Sequence, residues 1–326
     1  MLFRSVVAIA VPVFAVLLVV ASPATPVLLG SGGGAAADVR VGNPKRVVFV
    51  VFDELPTESL LDGSGRIDAE LFPNFARLAA TSTWYRNEST VAPYTQTAVP
   101  AIVSGQYPKD PGALPTATEH PDSLFTLLGG TYHTNVHEAS ETLCPRSICA
   151  NRNVAGSAGG WRGLVGSTAR LWQQFASPDR REINFIFDED AATRNSLASG
   201  RTFVASLRPS RGPVLDYLHV ELPHQPFHLL GDWRDYVETK LPGTEVLVWP
   251  DAVTAESGHQ RHLLQAQAAD TLLGRIMDRL RAIGAFEDTA IVVTADHGIA
   301  FGDDQVLRSV DGTNTDQIMW TPLFVK

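Results

Sequence analysis

A chain of 326 residues with 44% hydrophobic side chains is long enough to bury one large α/β core. Its 35 acidic and 26 basic residues leave a net charge of −9, and no Lys/Arg-rich run interrupts the acidity. That balance excludes a nucleic-acid partner, which needs a basic face to neutralise phosphates.

Val6 to Ala21 form one apolar run behind a single basic residue, Arg4, and apolar character resumes at Val27-Leu28-Leu29. With no polar face to suit a soluble helix, residues 1–29 read as a signal peptide or a membrane anchor, the retained anchor being favoured. Ala35-Ala36-Ala37 offers a small-residue cleavage site further on. The chain is therefore expected outside the cytoplasm, secreted or touching the membrane through this segment. Residues 30–44, with Gly30-Ser31-Gly32-Gly33-Gly34, read as a flexible linker. Residues 45–326 form the remaining domain.

Arg46 to Phe52 is a short β-rich apolar run that stops at Asp53-Glu54-Leu55-Pro56, as a strand buried on both faces would. Thr95 to Pro108 predicts a short helix beginning near Thr97, with Pro100 in its first turn and Ser104-Gly105 as its stop. Asp122 to Gly130 predicts another, shorter one, with an N-cap and a glycine stop. Cys144 and Cys149 lie close enough to form a disulfide outside the cytoplasm; two thiolates alone do not complete a zinc site. The polar stretch from Cys149 to Arg211 reads as a loop-rich insertion. Val214 to Leu222 predicts a second strand, running into Pro223-His224-Gln225-Pro226. A helix from near Ser257 to Gly284 follows, with an apolar stripe at Leu264, Ala268, Leu272, Ile276 and Leu280. Thr289 to Ala295 predicts a third strand, ending in Asp296-His297-Gly298, and Thr321 to Lys326 a closing one.

Strands alternating with helices define an α/β fold with a mostly parallel central sheet and helices on both faces. Ligands of such sheets bind beyond the carboxyl ends of the strands, where Asp53, His224, Asp296 and His297 all fall. Asp53-Glu54 suits a hard or borderline cation, although an acid after a strand is also an ordinary turn or cap. Asp296-His297 is a natural half-site for Zn²⁺ or Mn²⁺. Thr95 precedes a helix whose free N–H groups and dipole favour a phosphoryl or sulfuryl oxygen and the threonine alkoxide; its bland reading is a helix cap.

These motifs share one order: an acidic pair ending the first strand, Thr95 nine residues before Ser104-Gly105-x-x-Pro108, His224-Gln225-Pro226-Phe227, then Asp296-His297-Gly298. In that order the chain resembles the alkaline phosphatase/sulfatase superfamily over residues 45–326. The resemblance implies a catalytic domain in which Thr95 is the nucleophile and, with Asp53, Glu54, Asp296 and His297, a metal ligand. His224 would then contact the substrate or a second metal. The chain departs from the sulfatases that mature a Cys or Ser within Cys/Ser-x-Pro-x-Arg to formylglycine, because Thr95, Thr97 and Val99 stand there. A Thr nucleophile is instead similar to lipoteichoic acid synthases, phosphoethanolamine transferases and nucleotide pyrophosphatases. Thr97 is a rival nucleophile. No histidine follows His297, where many relatives carry one; His219, His228, Arg308 and Asn314 could fill that place. The relatives' smaller C-terminal subdomain is also missing after Lys326.

The expectation is thus a metal-dependent hydrolase or transferase acting on phosphate esters or diesters, through a covalent Thr intermediate, at the outer face of the membrane. Its substrate would be lipid-linked or part of the cell envelope. Its cation would be Zn²⁺ or Mn²⁺ ahead of Ca²⁺ or Mg²⁺. Two alternatives stand beside it: a sulfatase that lacks formylglycine, and a catalytically silent cell-surface binding domain.

Overall fold

The computed structural model describes residues 34–150, 153–154, 189–236, 248–303 and 305–326. The apolar run of residues 1–29 and most of the expected insertion lie outside the described residues. Among those described, no helix is long and apolar enough to cross a membrane.

The strands in chain order are β1 (Arg46–Asp53), β2 (Thr83–Tyr85), β3 (His133–Glu138), β4 (Asn153–Val154), β5 (Val214–Pro223), β6 (Thr289–Ala295) and β7 (Leu323–Val325). They join into one seven-stranded sheet in the order β2-β7-β6-β1-β5-β3-β4. Pairing is parallel from β6 through β1, β5 and β3 to β4, and antiparallel where β7 meets β6 and β2. The helices are α1 (Pro73–Ala79), α2 (Thr95–Ser104), α3 (Leu124–Leu128), α4 (Glu189–Ser206), α5 (Ala252–Ala282) and α6 (Thr315–Met319), with a 3-10 turn at Thr57–Leu60. This is the α/β class expected, with a mostly parallel sheet and helices on both faces.

Residue alternation along β1 explains why it reads as an unbroken apolar run. Val48, Val50 and Phe52 pack on one face with Leu272, Ile276 and Leu280 of α5 and Phe203 of α4. Val51 packs on the other with Val99 and Val103 of α2 and Phe125 of α3.

Several elements differ from expectation, each for a local reason. Inside the stretch read as loop, α4 is helical because Leu197 and Phe203 join the main core; its largely polar sequence hides that tertiary support. The long helix α5 begins at Ala252, earlier than Ser257, because the Asp251 carboxylate accepts from Thr254 N at 2.7 Å and caps it. Its buried face runs from Thr254 and Ala255 through Gly258, His262 and Gln265, whereas Leu264 is 37% exposed. In α2 the first helical residue is Thr95, so Pro100 lies beyond the first turn, buried, leaving the Gln96 carbonyl without its usual donor. The helix stops at Gly105, whose φ of 66° suits glycine. The stretch expected as linker is tied down from Ala37, whose N–H donates to Thr126 O at 2.8 Å; Val39 O accepts from the Thr131 hydroxyl at 2.7 Å. Cys144 and Cys149 form the expected disulfide, both buried, with Cα atoms 6.0 Å apart.

Candidate active site

Three adjacent strand ends build the site. Register sets Val51 of β1 opposite His219 of β5, and Phe52 opposite Ala295 of β6. Leu215 and Tyr217 of β5 and Val51 of β1 share the face covered by α2, so alternation turns His219 and Asp53 to that same face. Asp296, one residue past core-facing Ala295, joins them. Thr95 opens α2 above this face.

Asp53, Asp296 and His297 are all fully or nearly fully buried. The His297 Nδ1 atom faces the Gly298 carbonyl at 2.8 Å, which can only accept, so Nδ1 carries the proton. The bare Nε2 atom then looks at the Thr95 hydroxyl at 3.2 Å, Asp296 Oδ2 at 3.6 Å and Asp53 Oδ1 at 3.8 Å. Burial holds the imidazole below its ordinary pKa, in the neutral, ligating form. Gly298 allows this corner: a Cβ there would stand 2.0 Å from the Gln317 carbonyl of α6.

Asp53 Oδ1 and Asp296 Oδ2 find no hydrogen-bond partner among the described residues. Burial pushes Asp296 up to about 6, although His219, the His297 N–H and the Thr95 hydroxyl pull it back. Asp53 is raised by burial and then by Asp296. Buried carboxylates of this kind are paired or bound to metal. One donor atom each of Asp53, His219 and Asp296 lies within 4.8 Å of the others. Orphaned oxygens beside an unprotonated imidazole nitrogen form a donor set that fits a borderline divalent cation.

Glu54 is engaged elsewhere. The Arg308 guanidinium grips its carboxylate, with Nε 2.6 Å from Oε1, and Gln225 N donates to Oε2 at 3.2 Å. Burial works against the charge, yet Arg308, with His224 and His297, holds the carboxyl down to about 2. Arg308 also donates to His224 Nε2, so Glu54, Arg308 and His224 form one network. Glu54 has a φ of 60°, a left-handed backbone held by its N–H on Asp296 Oδ1 at 3.3 Å and by His262 Nε2 on its carbonyl at 2.9 Å. The structure thus brings Asp53, Thr95, Asp296 and His297 together, with Glu54 and His224 in an adjoining group.

At the start of α2, the N–H groups of Thr97 and Ala98 both bond the Tyr94 carbonyl. Those of Thr95 and Gln96 have no partner among the described residues and remain open to an anionic oxygen. Thr97, the rival, turns its hydroxyl back on Tyr94 O at 3.2 Å.

Other residues were not legible as site residues. Glu141 accepts from His219 Nδ1 at 2.8 Å. Burial opposes charge on His219, yet Glu141, then Asp296 and Asp53, push it up to about 10. A dication held by the same carboxylates would oppose that charge and favour the neutral imidazole. Gln265 fastens the loop that carries His224. Neither Glu141 nor Gln265 belongs to a local motif, so only the fold reveals them. A cavity of about 280 Å³ runs along the last turn of α2 between Thr90 and Tyr107; Ala295 lines it, but Asp53, Thr95, Asp296 and His297 do not.

The chain matches the sulfatase family model over residues 45–326 and belongs to the sulfatase family, within the alkaline phosphatase/sulfatase superfamily. No curated protein sequence matches it. Among solved structures, it is similar to a 2-O GAG sulfatase at 12% identity and a TM-score of 0.58, covering 87% of this chain and 64% of that one. A phosphonate monoester hydrolase from Silicibacter pomeroyi gives 18% identity and a TM-score of 0.55, covering 86% and 68%. A phosphonate monoester hydrolase of Agrobacterium radiobacter gives 15% and 0.51, covering 86% and 68%. At these identities the likeness is one of fold, and this chain spans less than two thirds of the first of them.

Proposed function

We propose that this protein is a metal-dependent ester hydrolase or transferase that uses Thr95 as a covalent nucleophile on phosphate esters and diesters. The observation that carries the reading is the Thr95 hydroxyl 3.2 Å from His297 Nε2, at a helix N-terminus and beside the orphaned oxygens of Asp53 and Asp296. Asp53, Thr95, Asp296 and His297 would hold the cation, Zn²⁺ or Mn²⁺ ahead of Ca²⁺ or Mg²⁺, because a nitrogen donor stands among the oxygens. Glu54 is left out of this set, since Arg308 takes its carboxylate. When bound, the cation supplies Lewis-acid stabilisation of developing negative charge.

The chain's own residues do the rest. The open N–H groups of Thr95 and Gln96 receive a non-bridging oxygen of the substrate, and the helix dipole favours the Thr95 alkoxide. His224 and Arg308 are assigned to the other substrate oxygens. Thr95 Oγ loses its proton and forms a bond to phosphorus as the ester bond breaks, and the departing alkoxide takes up a proton in turn, so that one alcohol replaces the other. Water or an acceptor hydroxyl then attacks phosphorus and frees Thr95.

Phosphate is preferred over sulfate on chemical grounds. The carbon bearing the Thr95 oxygen carries no second hydroxyl, so the intermediate cannot collapse by expelling the oxyanion. It is released only by attack at the central atom, the route of phosphoryl transfer. Sulfate esters form the second reading, favoured by the family match. The apolar run of residues 1–29 and the disulfide support an extracytoplasmic location and a lipid-linked or envelope substrate. Two titratable thiols in non-reduced protein would contradict that compartment.

The test is a panel of aryl phosphate monoesters, diesters and sulfate esters, with acid quench and mass mapping of the intermediate. Phosphorylated Thr95 is the expected product. Turnover of sulfate esters alone favours the second reading, and no turnover with bound metal makes the chain a silent binding domain.

A further inference from the structure

Resting on that metal-site reading, we propose that His219 is a further ligand of the cation and that Glu141 is the positioning residue that fixes it in the ligating tautomer. Neither follows from a strand-end motif. His219 sits within β5, and Glu141 lies in the loop that leads into the disulfide.

His219 is fully buried, and its Nδ1 lies 2.8 Å from Glu141 Oε2. Glu141 receives the Ser140 N–H at 3.1 Å on that same oxygen, so it is held as an acceptor. The proton between Glu141 and His219 then belongs to Nδ1, and Nε2 is left facing the cluster. Nε2 has no hydrogen-bond partner among the described residues, and neither do Asp53 Oδ1 and Asp296 Oδ2. Three unpartnered polar groups thus converge with one donor atom each within 4.8 Å of the others. A protonated Nε2 making a hydrogen bond would draw a carboxylate to roughly 3 Å. Ligands held about 2.0–2.2 Å from one cation stand roughly 3–4.4 Å apart, the spacing of donors that share an ion.

The remaining candidates for a further ligand are otherwise engaged. His228 Nδ1 pairs with Asp235 at 3.2 Å, and although its Nε2 is unpartnered, His228 does not belong to the cluster of donor atoms at Asp53 and Asp296. Asn314 Nδ2 donates to Ser309 O at 2.9 Å, and its Oδ1 accepts from Asp311 N at 3.1 Å. Arg308 is itself a cation, bound to Glu54. His219 alone among them reaches the carboxylates, and the paired strands β1, β5 and β6 fix its distance from them. Two imidazole nitrogens among carboxylate and hydroxyl oxygens suit Zn²⁺ or Mn²⁺ and count against Ca²⁺ and Mg²⁺.

The decisive experiment measures metal binding by the full chain after chelation, titrating Zn²⁺ and Mn²⁺ separately by calorimetry and recording the visible spectrum with Co²⁺. His219→Gln is expected to weaken Zn²⁺ binding at least ~100-fold and to change the Co²⁺ bands. Glu141→Gln should weaken it ~10–100-fold with the bands largely kept, and Glu141→Asp should recover part of the loss. His228→Gln serves as the control with unchanged affinity. Equal or tighter binding by His219→Gln overturns the proposal, since removing a mere buried positive charge would strengthen cation binding. If His219→Gln does not fold, Glu141→Gln decides: unchanged affinity overturns the proposal. A wild type that binds no metal sinks both this inference and the parent reading, whereas wild-type binding with indifferent variants sinks this inference alone.

Discussion

Two hydroxyls separated by one residue have opposite surroundings. Thr95 Oγ faces His297 Nε2 across 3.2 Å, while Thr97 Oγ donates to the carbonyl of Tyr94 in its own turn. Thr97→Ala therefore removes one local hydrogen bond, a loss of about 1 kcal/mol or less, and should leave turnover within a few-fold of wild type. Thr95→Ala should unfold at nearly the wild-type temperature and lose several orders of magnitude in kcat. Thermal unfolding and steady-state kinetics on the same preparations check both. An active Thr95→Ala with an inactive Thr97→Ala would move the nucleophile to Thr97. Asp53, Asp296 and His297 were legible in the sequence because each follows directly from a strand that announces itself by apolar β-rich composition. Glu141 was not, and Arg308 was visible only as a candidate for the missing histidine's place rather than as the partner of Glu54, because Glu54 and His219 lie far from them in sequence and no period links them.

At the scale of elements, the long helix α5 does more than cover the sheet. Gln265 Nε2 donates to the carbonyls of Pro223, His224 and Pro226 at 3.2, 2.6 and 3.2 Å, and its Oε1 accepts from His228 N and Leu229 N. One buried amide thus fixes the whole loop after β5. Gln265→Ala should destabilise by roughly 2–4 kcal/mol and raise KM, as His224 loses its support. Gln265→Glu should be no better, because a carboxylate offers no donor to three carbonyls; a Gln265→Glu variant with wild-type stability would refute the clasp. A second element reads out pH. Glu58, in the 3-10 turn after β1, is pushed up to about 7 by burial and by nearby Asp316 of α6. Its folded value lies above the unfolded one, so its ionisation subtracts stability as pH rises from about 4.5 to 7. Glu58→Gln should be more stable than wild type at pH 8, with the advantage gone at pH 4, as followed by denaturant unfolding at both. The sequence could show neither device. The apolar stripe of α5 is visible as a period, but Gln265 within it looks like an interruption. Short strands such as β3, with the sequence His-Thr-Asn-Val-His-Glu, acquire β structure from β5 alongside rather than from their own composition.

Across the whole molecule, the proposed cation would join β1, β6 and α2 at one point, and β5 through His219. Each of these elements also packs into the cores on the two faces of the sheet. A ligand that binds only the folded state stabilises it by mass action, about 2.7 kcal/mol at a hundred times its Kd. For a domain of this size that corresponds to a rise in Tm of roughly 5 °C or more. Stripped protein should therefore unfold several degrees lower than protein refilled with Zn²⁺ or Mn²⁺, and the rise should grow with metal concentration. Asp296→Asn should abolish the metal-dependent rise. It should also make the stripped protein more stable than stripped wild type at pH 8, because an uncompensated buried carboxylate has been removed. Thr95→Ala should keep most of the rise, since the carboxylates and His297 remain. Calorimetric unfolding of the three proteins, stripped and refilled, distinguishes these outcomes. A Tm that ignores metal in the wild type would mean that the strand ends hold no cation, leaving one buried oxygen each of Asp53 and Asp296 unsatisfied among the described residues.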